Sequence, residues 1–156
     1  MRGSRVPLVI AGGGTRTLAQ LARLGDVCNF GPGPAGNVDT AHDARHRLEV
    51  LAAQCELANR DYEDILRTHF THWLILASDD ASVAAKIARY FPHGLDDFWG
   101  RYLVAGTPAS VAPQYQAYVD AGIQYFVVQT LDPDDEESIA LATSTLAPLL
   151  QPKKSA

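Results

Sequence analysis

The chain has 156 residues, 47% of them hydrophobic and 20% charged, with a formal net charge of -5. That length and composition fit a globular domain with a real core. They argue against nucleic acid, which is usually met by a basic patch, and no apolar run approaches the roughly 20 residues of a membrane helix.

Met1–Ser4 reads as an added leader or a native start, and no signal peptide is read in the N-terminal residues. Pro7 to Ala11 is apolar and β-branched, which predicts a buried strand. Gly12, Gly13 and Gly14 follow, then a helix from about Thr15 to Leu24 with Leu18, Leu21 and Ala22 on one face and Gly25 as its stop. Val27 to Phe30 predicts a second strand, and Gly31–Asn37 a loop. Thr40, with Asp43 three residues on, opens a helix whose face is Leu48, Leu51, Ala52, Cys55 and Ala58. Asp61 caps a single turn through Ile65, and Arg67 to Ala77 predicts a third strand.

Ser78 or Asp79 caps the next helix, with Val83, Ala84, Ile87, Ala88 and Phe91 as its apolar face and Pro92 and Gly94 as its end. The segment from His93 to Gly106 gives no firm pattern beyond a short helix around Leu95 to Tyr102. Thr107 and Pro108 mark a helix start, carrying Val111, Tyr115, Tyr118 and Val119 to the stop at Gly122. Ile123 to Thr130 predicts a fourth strand. A last helix runs from about Asp135 to Leu149, with Ile139, Ala142, Leu146, Leu149 and Leu150 on one side and Pro148 weakening its final turn. The acidic run Asp132–Glu137 reads as a solvated loop before it, and residues 151–156 as a frayed tail.

Strand and helix thus alternate four times, with one extra helix before the last strand. The fold class is α/β, with parallel strands, right-handed crossovers and strands apolar enough for burial on both faces. Four such units make half of an eight-stranded TIM (β/α)8 barrel, or a small open sheet. Residues 1–156 read as one partial domain.

A glycine-rich turn between a strand and a helix can hold a phosphate. Backbone N–H groups point outward there, the helix dipole adds positive potential, and no Cβ blocks the anion. Thr15 and Thr17 add hydroxyls, and Arg16 adds charge. GGGTRT is neither a P-loop nor the dinucleotide fingerprint. A tight turn in which glycine merely permits positive φ explains the same residues.

PLVIAGGGTRTLAQLARLGDVCNFG (residues 7–31) resembles the luciferase-like monooxygenase family, most of all its deazaflavin-dependent branch. HRLEVLAAQCELANRDYEDILRT (46–68) and AGTPASVAPQYQAYVDAGIQYFVV (105–128) are similar to the segments that follow there. The resemblance implies the C-terminal half of a TIM barrel. It also implies an oxidoreductase or monooxygenase that uses coenzyme F420 or FMN on a small organic substrate. It assigns the cofactor phosphate to Gly12, Gly13, Gly14 and Thr17, with Thr15 and Arg16 beside them.

The half of the family's barrel that supplies most substrate contacts has no counterpart in these residues, so no catalytic residue is named. Open strand edges point to a homo-oligomer. The alternative is a non-catalytic, self-associating half-barrel or a truncated gene product, with at most weak cofactor binding.

No metal site is expected. His69 and His72 fall on opposite sides of a strand, and His42 and His46 form a surface pair at a helix start. Two cysteines make no disulfide framework; Cys55 reads as a buried thiol, and the setting as cytoplasmic. Trp73, Phe70, Tyr125 and Phe126 read as core, with one or two able to face a barrel interior.

Overall fold

The computed structural model describes residues 6–33, 38–131 and 133–150, so the leader, most of the Gly31–Asn37 loop, Asp132 and the tail lie outside the described residues. The elements in chain order are β1 (Val9–Ala11), α1 (Thr15–Leu24), β2 (Val27–Phe30), α2 (Ala41–Leu57), a 3-10 turn (Tyr62–Asp64), β3 (Leu66–Leu76) and α3 (Asp80–Tyr90). Then come α4 (Asp97–Tyr102), β4 (Leu103–Gly106), α5 (Pro108–Ala121), β5 (Tyr125–Thr130), α6 (Glu136–Leu146) and a 3-10 turn (Ala147–Leu150). The pairings β1–β2, β2–β3 and β3–β4 are all parallel, and β5 also pairs β3. The chain divides into two compact units: Met1–Phe70 with Ala121–Val127, and Thr71–Asp120 with Val128–Ala156.

In the first unit, local chemistry sets the helix ends. Thr40 Oγ1 accepts from the Asp43 N–H at 3.1 Å while the Asp43 carboxylate accepts from the Thr40 N–H at 2.9 Å, a complete capping box. Arg60 Nη1 donates to the Leu21 and Ala22 carbonyls, each at 3.3 Å, which satisfies the last turn of α1. Alternate strand residues pack Cys28 and Phe30 of β2, and Arg67 and His69 of β3, toward a core with Leu18, Leu21, Leu48, Leu51 and Cys55.

The other side of these strands is largely open, with Thr68 buried on it. Val9, Val27 and Leu66 share one register row, and Ala11, Asn29 and Thr68 share the next. Val9 is 56% exposed, Leu66 43%, Phe70 38%, Tyr125 54% and Val127 41%. Two expectations are thereby corrected: β1 is not a buried strand, and Phe70 and Tyr125 are not core, whereas β3 is buried on both faces at Arg67–His69. An apolar run reports what a strand face can tolerate, whereas burial needs a second layer, and helices cover only one side. Phe126 is buried as expected.

In the second unit, Leu74, Ile75, Leu76, Val83, Val111, Tyr115 and Leu146 form the core. β4 is a strand of four residues, paired Trp73↔Leu103 through Leu76↔Gly106, in the segment whose pattern gave only a helix. Two helix faces also differ from expectation. Ala84 and Ala88 are exposed on α3 while Lys86 turns inward, and Ile139 is exposed on α6 while Ser138 is buried. A polar network, described below, outweighs the hydrophobic pattern there. Pro113 sits inside α5 without ending it, and α6 gives way to a 3-10 turn at Ala147, just before Pro148.

Candidate functional site

The glycine turn leaves β1 and enters α1 with Gly12 and Gly14 in different backbone states. Gly12 has φ +115, a conformation that L side chains rarely adopt. Its N–H donates to the Asn29 carbonyl at 3.1 Å, so this amide is already engaged. Gly13 is buried. Gly14 is the N-cap of α1 with φ -70 and ψ 145, which any residue can adopt, and it makes no side-chain cap bond. A Cβ built on Gly14 meets nothing nearer than Thr17 Oγ1 at 3.8 Å. Backbone geometry therefore requires glycine at 12, but neither geometry nor packing requires it at 14. The amides of Thr15, Arg16 and Thr17 open the helix with no carbonyl four residues back inside it. Gly14, Thr15 and Arg16 are exposed and Thr17 is half-buried.

A cleft of about 220 Å³ opens beside this turn, at the C-terminal ends of β1 and β2. Its lining comes from Ala11 and Gly12, from Asn29 through Pro32, and from Phe70. Of the six residues expected to hold a phosphate, Gly12 alone reaches the cleft; the other five stand outside its lining. Among the described residues no charged side chain lines it. Thr68, buried beneath, donates from Oγ1 to Asn29 Oδ1 at 2.7 Å and lies 2.9 Å from the Cys28 carbonyl oxygen. Asn29 and Thr68 were not singled out from the sequence. The available signal was a lone amide at the end of an otherwise apolar strand, one residue before Phe30 and the Gly31 turn.

Two other polar clusters lie away from this cleft. In the first unit, Arg67 is buried at the start of β3. Its guanidinium donates to the Gly122, Tyr62 and Ile65 carbonyls at 3.3–3.4 Å and to Glu63 Oε2 at 2.9 Å, and it lies 4.4 Å from the centre of the Tyr62 ring. In the second unit, Lys86 Nζ donates to the Leu76 carbonyl at 3.0 Å, to Asp135 Oδ2 at 2.6 Å and to Ser138 Oγ at 2.6 Å. Asp135 is thus the counter-charge of the half-buried Lys86 as well as the α6 cap, rather than part of a freely solvated loop. Both clusters anchor helices and strand ends to one another.

The histidines divide as expected: His42 and His46 are exposed, His69 is buried, and His72 stacks on Tyr102 with ring centres 6.0 Å apart. Among the described residues no group of three or more His, Cys, Asp or Glu is placed to hold a metal ion. Cys28 and Cys55 are both free and buried. Burial pushes the Cys28 thiol up to about 12 and raises that of Cys55 as well. Among the described residues no helix is long and apolar enough to cross a membrane.

No family model matches the sequence, and no curated protein matches it. Solved structures do match in fold. EDTA monooxygenase from Chelativorans sp. BNC1 superposes with a TM-score of 0.71 at 15% identity, covering 97% of this chain and 45% of that one. An F420-dependent secondary alcohol dehydrogenase, solved with an F420-acetone adduct, gives 0.70 at 13% identity, covering 96% and 50%. Coenzyme F420-dependent tetrahydromethanopterin reductase from Methanopyrus kandleri gives 0.65 at 16% identity, covering 94% and 51%. These neighbours are luciferase-like enzymes, and the chain spans about half the length of each. The fold is half of a TIM barrel, parallel strands flanked by helices.

Proposed function

We propose that the chain is the C-terminal half of a luciferase-like, flavin- or deazaflavin-dependent oxidoreductase, and that the turn Gly12–Thr17 binds the phosphate of coenzyme F420 or FMN. The observation that carries this reading is Gly14. The fold needs no glycine there, yet its absent Cβ leaves the start of α1 open to an incoming group. The neighbours' dependence on F420 and their monooxygenase chemistry supply the cofactor class. The residues present fit such a group. The Thr15, Arg16 and Thr17 amides open α1 without helical partners and would meet a phosphate, Arg16 would add positive charge, and among the described residues no charged side chain lines the adjoining cleft.

When bound, the cofactor would supply hydride transfer to or from a small organic substrate, or oxygen activation in the case of FMN. This chain's own residues bind and orient it. The two buried thiols suit a reducing, cytoplasmic setting.

Titration of the purified chain with FMN and with coenzyme F420, followed by fluorescence, tests the reading. Saturable binding to the wild type that Gly14→Asp abolishes is expected. Binding of neither cofactor overturns it.

The exposed apolar row Val9, Leu66, Phe70, Tyr125 and Val127 favours a second reading, in which two copies associate through this sheet face. On that reading the chain is a self-associating half-barrel without turnover. Sedimentation across a range of concentrations would then show a dimer that Val127→Lys dissociates. A monomer at every concentration removes this reading.

A further inference from the structure

We propose that Asn29 selects and orients the uncharged part of the ligand inside the cleft, with Thr68 as the positioning residue that aims it. The inference rests on the cofactor reading above. The walls are apolar, with Ala11, Phe30, Pro32 and Phe70 among them, and Asn29 is the polar side chain they hold. An ionised phosphate placed here would lose its hydration and gain no cation. The phosphate therefore belongs outside, at the start of α1. The cleft suits an uncharged, flat moiety with a hydrogen-bond acceptor on its edge, such as a heterocycle bearing carbonyl or ring-nitrogen acceptors.

Thr68 sets which end of the Asn29 amide the ligand meets. The two residues are register partners on β2 and β3, and the buried Thr68 hydroxyl donates to Asn29 Oδ1 at 2.7 Å. The same hydroxyl lies 2.9 Å from the Cys28 carbonyl oxygen, so its single proton has two acceptors within reach, and the shorter contact is the one to Asn29 Oδ1. A carboxamide carries an acceptor at one end and two donors at the other. With Oδ1 held by Thr68, the NH2 group is the end presented to the cleft, so the ligand must accept.

The test compares ligands with and without phosphate: FMN against riboflavin, coenzyme F420 against its phosphate-free deazaflavin, and inorganic phosphate alone. Each is titrated into the wild-type chain, Thr68→Val, Thr68→Ser and Asn29→Asp, with the unfolding midpoint of every variant recorded. Thr68→Val is expected to weaken the phosphate-free ring and its phosphorylated partner by the same factor, about tenfold for one hydrogen bond, and Asn29→Asp, which also adds a negative charge, to weaken the phosphate-free ring at least as much. Phosphate alone is unaffected by Thr68→Val, and Thr68→Ser, which keeps the hydroxyl, binds like the wild type. Asn29→Asp keeps the shape and loses the donor, so it carries the test if Thr68→Val does not fold. The inference is overturned if the variants bind the rings unchanged, or if the wild type binds the phosphorylated cofactors but neither bare ring; the phosphate turn survives both results. If the wild type binds none of the four cofactor probes, the cofactor reading itself falls.

Discussion

Lys86 Nζ stands 2.6 Å from Asp135 Oδ2, joining the middle of α3 to the N-cap of α6. The Lys86 hydrogen bond, aided by Ser138, holds the Asp135 carboxyl down to about 2. A depressed carboxyl pKa stabilises the fold above the ordinary carboxylate range, and that contribution is lost as pH falls from about 4 through about 2. Wild-type stability should therefore drop across this window, and Asp135→Asn should flatten the drop. Denaturant unfolding at a series of pH values reads the difference.

Gly14→Asp should move stability and binding in opposite directions. Aspartate is a good N-cap, and Gly14 provides none, so the substitution should raise stability by a few tenths of a kcal/mol. The same carboxylate would repel a phosphate. A thermal midpoint that rises while cofactor affinity is lost would separate the binding role proposed for the turn from its structural one.

Gly12→Ala should cost about 1 kcal/mol or more, because φ +115 is strained for any side chain. Gly122→Ala should cost a similar amount or more, since φ is +111 there and a Cβ also approaches Leu48 Cδ1 to 3.1 Å. Chemical unfolding of the two variants beside Gly14→Ala, where φ is ordinary, checks the ranking.

Arg67→Met should destabilise by about 3 kcal/mol, because three backbone carbonyls lose a buried donor at once. Glu63→Gln should change stability by less than about 1 kcal/mol, since its carboxylate is largely exposed. Equal effects from the two substitutions would show that the ion pair, and not carbonyl satisfaction, fixes this corner.

The native thiols should resist labelling at pH 8. Thiolate is the reactive form, and burial keeps Cys28 protonated with its pKa pushed up to about 12. A thiol reagent should react at the rate of unfolding, and at once in denaturant. Rapid reaction of the folded chain would contradict the packing described.

What was legible in the sequence was mostly local. The Gly25 stop of α1, whose N–H returns to the Leu21 carbonyl, the Thr40–Asp43 box and the Asp61 turn each include contacts within a few residues. The short β4 strand escaped notice because LVAG follows directly on α4 and forms a strand only by pairing with β3. The inward turn of Lys86 and Ser138 escaped for a related reason: Lys86 meets Asp135 49 positions away, and Ser138 meets the Leu76 carbonyl 62 positions away. At the site, the glycines announced a special turn. The Asn29–Thr68 pair that shapes the cleft spans 39 positions and leaves no periodic trace.

The register of β2 carries one more consequence. Asn29 faces the cleft and Cys28, its immediate neighbour, is sealed in the core. Strand residues alternate in direction, so a one-residue deletion or insertion between Gly25 and Val27 would exchange the two. An amide would enter the packed layer and a thiol would line the cleft. The length of this short connector therefore decides which side chain the cleft receives, and loop-length variation among homologues should be tolerated less here than at either end of α2.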